Sequence, residues 1–265
     1  VPLWISAVVN PVYDPDRNVR YLLGVYTDIT HSKLHEALHR KVLGAIIREQ
    51  PLQEVLTLIC REVEKVMPEA VASVIGLDDY GRLRPLAAPS LPEQIAAVID
   101  GELAGPMVGA CGSAAWSGQP VECSDIERDP RWQAYNAPFL ALGIRACWSN
   151  PVKGHDGRVL GTFALYYWEN RAPDEFHQRV VDVCLHLCAL AIERDRARSR
   201  MHQLSVFDTL TGLPNRALFN SKVEQMLLGA ARRDSQVALL FIDIDRFKIV
   251  NDTQGHSAGD TLLRE

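Results

Sequence analysis

The sequence lacks several features that define specialised classes of protein. Lys and Arg total 28 against 33 Asp and Glu, a net charge of -5, so the basic excess needed to bind a phosphate backbone is missing. No apolar run approaches the ~18–20 residues of a membrane-spanning helix, and no basic stretch followed by an apolar segment opens the chain. These absences argue against a nucleic-acid partner and against a membrane segment in this chain. They favour a cytoplasmic location.

Cysteine is present, but in no pattern typical of a metal site or a disulfide framework. None of the six cysteines belongs to a C-x-x-C pair. A chain of 265 residues that is 47% hydrophobic can bury a sizeable core without disulfides. We therefore expect buried, reduced thiols at all these positions, which are Cys60, Cys111, Cys123, Cys147, Cys184 and Cys188.

The length and composition predict an ordinary globular protein of one or two domains. Charged residues make up 23%, close to average usage, so a disordered or fibrous chain is not expected. The sequence starts at Val1, already inside a strand pattern and without an initiator Met, and it stops at Glu265 inside a helical pattern. We interpret it as a piece of a longer protein.

Residues 1–30 have the pattern of two strands joined by a turn at residues 14–18. The strands are predicted at Trp4–Tyr13 and Val19–Thr27. The stretches W-I-S-A-V-V-N-P-V-Y-D and Y-L-L-G-V-Y-T-D-I-T resemble the last two strands of a PAS sensor domain, which typically ends in Asp-Ile-Thr. The resemblance implies that residues 1–30 are the C-terminal strands of a PAS domain and that residues 31–41 are a linker helix.

Helical and strand patterns follow one another from residue 32 to residue 200. Apolar stripes at helical spacing predict helices near Ser32–Ile47 and Leu52–Val66, and a long helix after Pro173. The predicted strands are Ala70–Leu77, Arg82–Ala87, Ile144–Val152 and Val159–Trp168. We expect helices on one side of a mainly antiparallel sheet, which is an α+β module.

Residues 42–192 resemble a GAF domain in the order of these elements and in four local motifs. The motifs are G-A-C-G-S-A-A-W from Gly109, V-E-C-S-D-I from Val121, L-G-I-R-A-C-W-S-N-P-V from Leu142 and G-R-V-L-G-T-F-A-L-Y-Y from Gly157. GAF domains bind small ligands or support dimers, and the fold does not choose among these roles. The GAF ligand is therefore unknown.

The residues give little support to any one GAF ligand. No Cys-His dipeptide of the kind that attaches bilins occurs, and a solvated or core-packed role is favoured for the conceivable haem ligands His155, His177 and His186. Cys111 matches a cysteine of the free methionine sulfoxide reductase branch of the family. That branch needs further pocket cysteines not clearly reproduced here, and an unactivated thiol is a weak nucleophile. Reductase activity is therefore a remote alternative.

A heptad pattern leaves the GAF-like region and predicts a coiled-coil connector at residues 193–204. Seven of the eight seam positions are apolar, which favours a parallel homodimer through the connector helix. The first half of the stripe equally fits a face packed on the GAF sheet. The a positions are Val180, Leu187, Arg194 and Met201, and the d positions are Val183, Leu190, Ala197 and Leu204.

The most specific motifs lie after residue 205. The stretch D-T-L-T-G-L-P-N-R begins at Asp208, and the apolar run Val237–Ile242 has the pattern of a central strand buried on both faces. Asp243 and Asp245 follow this run, at the sheet edge where open α/β sheets bind ligands. A carboxylate there, beside the free N–H groups of the next helix, suits Mg²⁺ held mainly by substrate phosphates.

Residues 205–265 resemble the N-terminal half of a GGDEF domain, the catalytic domain of diguanylate cyclases, which join two GTP into cyclic di-GMP. The resemblance implies Mg²⁺ binding by the Asp243 carboxylate and the Ile244 carbonyl. It also implies phosphate binding by the N–H groups of Arg246 and Phe247, and guanine recognition by Asn251 and Asp260. The G-G-[D/E]-E-F hairpin is not in this sequence, so we expect the chain alone to be inactive.

Together these patterns predict an α+β sensor domain with a PAS hairpin, a helical connector and part of an α/β nucleotide-cyclase-like domain. The predicted function is that of a cytoplasmic cyclic di-GMP signalling protein, in which a GAF sensor controls a diguanylate cyclase domain. The alternative is a non-enzymatic GAF module for ligand sensing and dimerisation. That module would regulate a degenerate GGDEF domain or a downstream phosphodiesterase domain.

Overall fold

The computed structural model describes residues 4–13, 17, 19–233 and 235–265. The chain divides into two compact units, Val1–Arg194 and Asp195–Glu265. Within the described residues, no helix combines the length and the apolar character needed to cross a membrane.

The first unit begins with an antiparallel hairpin of β1 (Ile5–Tyr13) and β2 (Val19–Asp28). The two strands predicted in this region are confirmed. The predicted turn at residues 14–18 lies outside the described residues except for Arg17. Helix α1 (Thr30–Ile47) follows β2 directly. Most side chains of the hairpin are exposed on both faces, so the hairpin has no core of its own.

The sensor-sized part of the first unit is built on a five-stranded antiparallel sheet. Its strands are β3 (Ala70–Leu77), β4 (Leu83–Ala87), β5 (Val121–Cys123), β6 (Ala146–Lys153) and β7 (Val159–Tyr167). They lie in the order β4-β3-β7-β6-β5. The apolar strands β3, β7 and β6 occupy the centre, where a strand has neighbours on both edges and is buried along its length.

Helices cover both faces of this sheet, so the predicted placement on one side is wrong. They are α2 (Leu52–Val66), α3 (Glu93–Ile99), α4 (Gly109–Ser117), α5 (Asn136–Ala141) and α6 (Glu175–Val206), with a 3₁₀ turn at Pro130–Trp132. Ala72 and Val74 of β3 pack with α1, α2 and α6, whereas Val71 and Ile75 pack with α3, α4 and α5. A sheet that is apolar on both faces must be covered on both.

Helix α6 forms one wall of the first of these two cores. Its buried residues include Val180, Val183 and Leu187, which pack in the same cluster as α2 and β7. Leu190 is 43% exposed. The alternative of a helix packed on its own GAF sheet is therefore observed for Leu187 and the seam positions before it, whereas the pairing of two connector helices stays a prediction. Further along α6, Met201 and Leu204 are exposed.

The described residues of the second unit contain the end of α6, three further helices and no strand. The helices are α7 (Arg216–Arg233), α8 (Phe247–Gln254) and α9 (His256–Arg264). The central strand predicted at Val237–Ile242 is not formed, and Phe241 in this run is 88% exposed. The reason is physical: a strand exists through hydrogen bonds to a neighbour, and no described segment of this unit lies beside the run.

Candidate functional site

The residues predicted to bind metal and phosphate lie in the segment that leads into α8. Arg246 is the N-cap residue and has the left-handed backbone conformation, with φ of 59°. The Phe247 N–H donates to the Ile244 carbonyl at 3.3 Å. The structure therefore pairs two of the predicted ligand-binding groups with each other. A phosphate would compete for the Phe247 N–H, whereas the Ile244 carbonyl keeps a second lone pair for a metal.

The two residues predicted to recognise guanine lie on α8 and α9, which pack against each other. Gly259 of α9 is buried, and a Cβ at this position would overlap the side-chain oxygen of Asn251 on α8. Glycine is therefore required for this close approach. Asn251 therefore contacts Gly259, the residue before Asp260. The structure thus brings the two predicted guanine-binding positions close together on the packed helices α8 and α9.

The oxygen atoms near Asp243 are of the kind that Mg²⁺ prefers as ligands. Asp243 and Asp245 are exposed carboxylates, and the Ile244 carbonyl is already hydrogen-bonded. Among the described residues, no three His, Cys, Asp or Glu side chains come together as a metal site. Mg²⁺ is commonly held by one or two carboxylates together with substrate phosphates, so the roles of Asp243 and Ile244 remain predictions.

The D-T-L-T-G-L-P-N-R stretch forms the turn between α6 and α7. The Asp208 carboxylate accepts hydrogen bonds from the Leu210 and Thr211 N–H groups and from the Thr211 hydroxyl. The Thr211 N–H contributes most to lowering the pKa of Asp208. Asn215 caps α7 with its side-chain oxygen and donates from Nδ2 to the Ser205 carbonyl at 2.7 Å. The polar residues of this motif therefore shape a turn.

A second candidate site lies inside the sensor, on the sheet face covered by α3, α4 and α5. Strand register places Cys123 opposite Cys147, and Cys147 opposite Tyr166. Ser149 and Thr162 point to the same face because they are an even number of residues from Cys147 and Tyr166 respectively. With Ser73 of β3 and Cys111 of α4, these residues form a buried set that we call the polar face.

Hydrogen bonds on the polar face converge on the Cys111 sulfur. The Ser73 hydroxyl donates to the Tyr166 oxygen at 3.3 Å, which leaves the Tyr166 hydrogen free for the Cys111 sulfur at 3.5 Å. The buried hydroxyls of Ser149 and Thr162 have no hydrogen-bond partner in this structure, and both lower the pKa of Cys111. The hydroxyl groups of Tyr166, Ser149 and Thr162 could therefore all donate hydrogen bonds to a thiolate at Cys111.

These donors change the acidity of Cys111. The hydrogen bond with Cys147 is the largest cause, and together the donors lower the pKa of Cys111 to about 7 in spite of its burial. Cys111 also lies in the first turn of α4, where the helix dipole favours an anion. Burial and the bond to Cys111 raise the pKa of Cys147. These donors make Cys111 more acidic than the unactivated thiol that we expected from the sequence.

The other three cysteines occupy the opposite face of the sheet in an apolar environment. Cys60 of α2 and Cys184 and Cys188 of α6 belong to the first core. Burial raises the pKa of each of them. All six thiols are free and buried, as the sequence predicted, but only the trio of Cys111, Cys123 and Cys147 lies among polar donors.

The conceivable haem ligands are engaged with protein groups. Glu193 accepts from the backbone N–H of His155 at 2.9 Å and lies 2.7 Å from His155 Nδ1. His177 is buried, with Nδ1 2.6 Å from Asp174 and Nε2 3.1 Å from Glu69. His186 Nδ1 lies 2.7 Å from a backbone carbonyl of its own helix. These contacts agree with the favoured solvated or core-packed roles.

Comparison with known proteins separates the two parts of the chain. The GAF domain family matches residues 49–193, and the family described as diguanylate cyclase, GGDEF domain, matches residues 205–265. The oxygen sensor protein DosP of Escherichia coli is 25% identical over 263 residues, covering 99% of this chain and 26% of DosP. The diguanylate cyclase TpbB of Pseudomonas aeruginosa is 49% identical over 70 residues, covering 26% of this chain and 16% of TpbB.

The chain thus spans only about a quarter or less of these two relatives. Among solved structures, the GAF domain of a phosphoenolpyruvate-protein phosphotransferase from Coxiella burnetii aligns with a TM-score of 0.51 and 20% identity. The alignment covers 64% of this chain and 96% of that domain. This likeness supports the fold alone. Because the family match covers more than half of the residues, the chain belongs to the GAF domain family.

Proposed function

We propose that this chain is part of a cyclic di-GMP signalling protein in which the GAF sensor controls a diguanylate cyclase domain. The observation that supports this most is that one continuous helix, α6, links the two family matches. Helix α6 is a wall of the sensor core and ends at Val206, inside the stretch that matches the GGDEF family. A change in the sensor core that shifts α6 would therefore reach the second domain directly.

The proposal includes a homodimer through the connector helix at residues 193–204. Val180, Val183 and Leu187 belong to the sensor core, so the seam positions available to a partner begin at the exposed Leu190. Met201 and Leu204 are exposed on that seam. In the GGDEF family each domain of a dimer holds one GTP, and the two sites face each other. A connector that changes the pairing would thus control the rate without touching either site.

We assign the nucleotide roles in the second unit by family resemblance. Asp243 and the Ile244 carbonyl would hold Mg²⁺, which would neutralise charge on the phosphates when bound. The N–H groups of Arg246 and Phe247 would bind phosphate, and Asn251 and Asp260 would recognise guanine. A carboxylate accepts from the guanine N1–H and amino group, and an amide both donates and accepts.

The remaining parts of the proposal concern the start of the chain and its location. The hairpin β1–β2 has the strand pattern expected for the C-terminal end of a PAS domain, and the sequence pattern of residues 1–30 supports this interpretation. We propose a cytoplasmic location, in keeping with the GTP substrate.

The second candidate function is a non-enzymatic GAF module for ligand sensing and dimerisation. Such a module would regulate a degenerate GGDEF domain or a downstream phosphodiesterase domain.

Activity assays on the gene product that carries this sequence separate the two candidates. We expect it to form cyclic di-GMP from GTP and Mg²⁺, and Asp243→Asn to lower product formation by on the order of 100-fold. The exposed Asp252 on α8 offers a matched control, because Asp252→Asn removes a carboxylate of the same helix region. Hydrolysis of cyclic di-GMP, or binding of GTP without product, would favour the second candidate.

For residues 1–265 alone we expect no cyclic di-GMP from GTP and Mg²⁺. The described residues hold no complete metal site, and phosphoryl transfer depends on metal ions that neutralise developing charge. Chromatography with mass detection would measure the product. Formation above the level of the Asp243→Asn variant would contradict this expectation.

A further inference from the structure

The polar face is an unusual environment for a buried sulfur atom. A buried thiol normally behaves as a small apolar group and resists ionisation, as Cys60 and Cys188 do on the other face of the sheet. Cys111 is also buried, at 4% exposure, yet its sulfur lies among hydroxyl and thiol groups contributed by β6 and β7. The two faces of one sheet thus place cysteines in opposite chemical settings.

The hydroxyl groups around Cys111 are satisfied better by an anion than by a neutral thiol. Ser149 Oγ and Thr162 Oγ1 have no hydrogen-bond partner while Cys111 is a thiol. Leaving a buried donor unpaired destabilises a folded protein, and a thiolate or a sulfenate at Cys111 would accept from both. This pair of unpartnered hydroxyls is a second observation, independent of the cysteines, that points to a hydrogen-bond acceptor at this place.

A second thiol stands next to the first. Cys147 of β6 lies in the same buried cluster as Cys111 of α4, and each of the two thiols shifts the pKa of the other. Cys147 also faces Cys123 directly across the ladder of β5 and β6. Cys123 is held as a thiol, because burial and a hydrogen bond with Asp129 raise its pKa to about 12. The geometry therefore gives Cys111 one immediate thiol partner, Cys147.

We propose that Cys111 and Cys147 are a redox-sensing pair, in which a small hydroperoxide oxidises Cys111 and Cys147 then closes a disulfide between α4 and β6. This site goes beyond the cyclase function proposed above and does not depend on it.

The chemistry balances with a hydroperoxide as the oxidant. The Cys111 thiolate attacks one peroxide oxygen, the O–O bond breaks, and the alcohol or water that leaves takes up the proton. Cys111 is then a sulfenic acid. The Cys147 sulfur, as it loses its proton, attacks the Cys111 sulfur, the S–O bond breaks, and water leaves. Two thiols and one hydroperoxide thus give one disulfide, one alcohol or water, and one water.

The burial of Cys111 limits the size of the oxidant that can reach it. A cysteine residue that is 4% exposed admits a reagent of the size of hydrogen peroxide more readily than a bulky aromatic disulfide reagent. Reaction that required global unfolding would expose all six cysteines together. Cys184 on the opposite face is therefore an internal reporter of unfolding, because its pKa is raised and it has no neighbouring donor groups.

The test is oxidation of the whole chain by hydrogen peroxide, followed by peptide mapping under non-reducing conditions. We expect one disulfide, between Cys111 and Cys147, formed while Cys184 and Cys188 remain reduced. In Cys147→Ser the sulfenic acid at Cys111 should persist and be trapped by a dimedone probe. Cys184→Ala, which removes a thiol from the apolar trio, should oxidise as the unchanged protein does.

The rate should also depend on pH and on the hydroxyl donors. We expect the rate constant at Cys111 to rise with pH to a plateau above about 7, because the thiolate is the nucleophile. Ser149→Ala should move the midpoint upward and slow the reaction at pH 7 by on the order of tenfold. The other titratable or charged groups that face this site are Cys123, Asp129, Arg131, Cys147 and Tyr166.

The proposal fails if the disulfide maps to another pair, or if Cys111 and Cys184 are oxidised at equal rates. It also fails if Cys147→Ser traps no sulfenic acid, or if Ser149→Ala leaves the pH midpoint unchanged. Peptide mapping of the oxidised, unsubstituted protein tests the proposed disulfide directly. The proposal can therefore be tested even if a variant does not fold.

Discussion

Two apolar segments of this chain differ in how much of their surface is buried. Strand β3 (Ala70–Leu77) is buried along almost its whole length, between β4 and β7. The run 237–242 is as apolar as β3, but its residues Leu240, Phe241 and Ile242 are exposed and pair with no described segment. An apolar run predicts that a segment can be buried, whereas neighbouring strands and a covering helix decide whether it is.

The helices show the same contrast between the two units. Helix α2 of the sensor has five buried residues on one face, and α6 adds a second apolar face to the same core. Helix α7 of the second unit has no buried residue among those described, although it is of similar length. The sensor therefore has a core that stabilises its own elements, and the second unit as described has little.

The largest expected effect is in amide hydrogen exchange. We expect the amides of β3 and β7 to exchange only through global unfolding. The opening free energy of residues 205–265 should be at least about 3 kcal/mol lower, because these residues bury few apolar side chains. Exchange followed by mass spectrometry on the whole chain would measure both. Equal protection across Phe207–Leu263 and the sensor sheet would contradict this contrast.

A matched pair of phenylalanine substitutions should differ almost as much. Phe163 of β7 is 0% exposed and Phe241 is 88% exposed. We expect Phe163→Ala to lower the free energy of unfolding of the sensor by about 3–5 kcal/mol, because it leaves a cavity in the core. Phe241→Ala should change it by less than about 0.5 kcal/mol. Denaturant unfolding of both variants measures this, and similar losses would show that the run 237–242 is buried in solution.

A smaller effect is expected where α6 leaves the sensor core. Arg194 occupies an a position of the proposed seam and is half-buried. If residues 193–204 pair with a second copy, Arg194→Leu should tighten the dimer by on the order of tenfold, because a charged a position costs stability.

Sedimentation equilibrium on the two proteins would measure the dimer constant. Ser199→Leu is the matched control, since position 199 lies on the opposite side of the helix from the seam. An unchanged constant for Arg194→Leu would remove the connector dimer from the proposed function.

The smallest effect concerns the contact of His155 with Glu193. The carboxylate raises the pKa of the exposed His155, and His155 lowers the pKa of Glu193. The stabilisation from His155 is therefore complete below its ordinary pKa near 6.5 and is lost as pH rises through the raised value. We expect a decrease of at most about 2 °C in the thermal midpoint over this range, because the pair is exposed.

This pH dependence should vanish in His155→Ala and persist in His202→Ala, which removes an exposed histidine of α6. A thermal midpoint that falls equally in both variants would assign the effect to another group.

Much of the sensor could be predicted from periodicity alone. The structure has β3 at Ala70–Leu77 and α2 at Leu52–Val66, the bounds that the apolar patterns predict. In both segments local preference and final burial agree. The prediction was wrong for the faces of the sheet and for Val237–Ile242, where the outcome depends on neighbours distant in sequence.

The candidate sites divide in a similar way. The sequence pointed to Asp243 and Asp260 through their place in a motif, and those assignments stay predictions. It gave no expectation of an acidic thiol at Cys111. The available signal was polar residues at alternate positions in apolar strands, such as Cys147 with Ser149. That signal shows which side chains share a face, but not which atom they surround.

The sequence by itself determined which segments form strands and helices in the sensor, because spacing and turn residues act over a few positions. Only the tertiary structure decided that β6 and β7 align Cys147, Ser149, Thr162 and Tyr166 against the first turn of α4. It also decided that 237–242 stays exposed. Acidity and burial depend on distances of a few ångströms between residues far apart in the chain, and local patterns do not encode these distances.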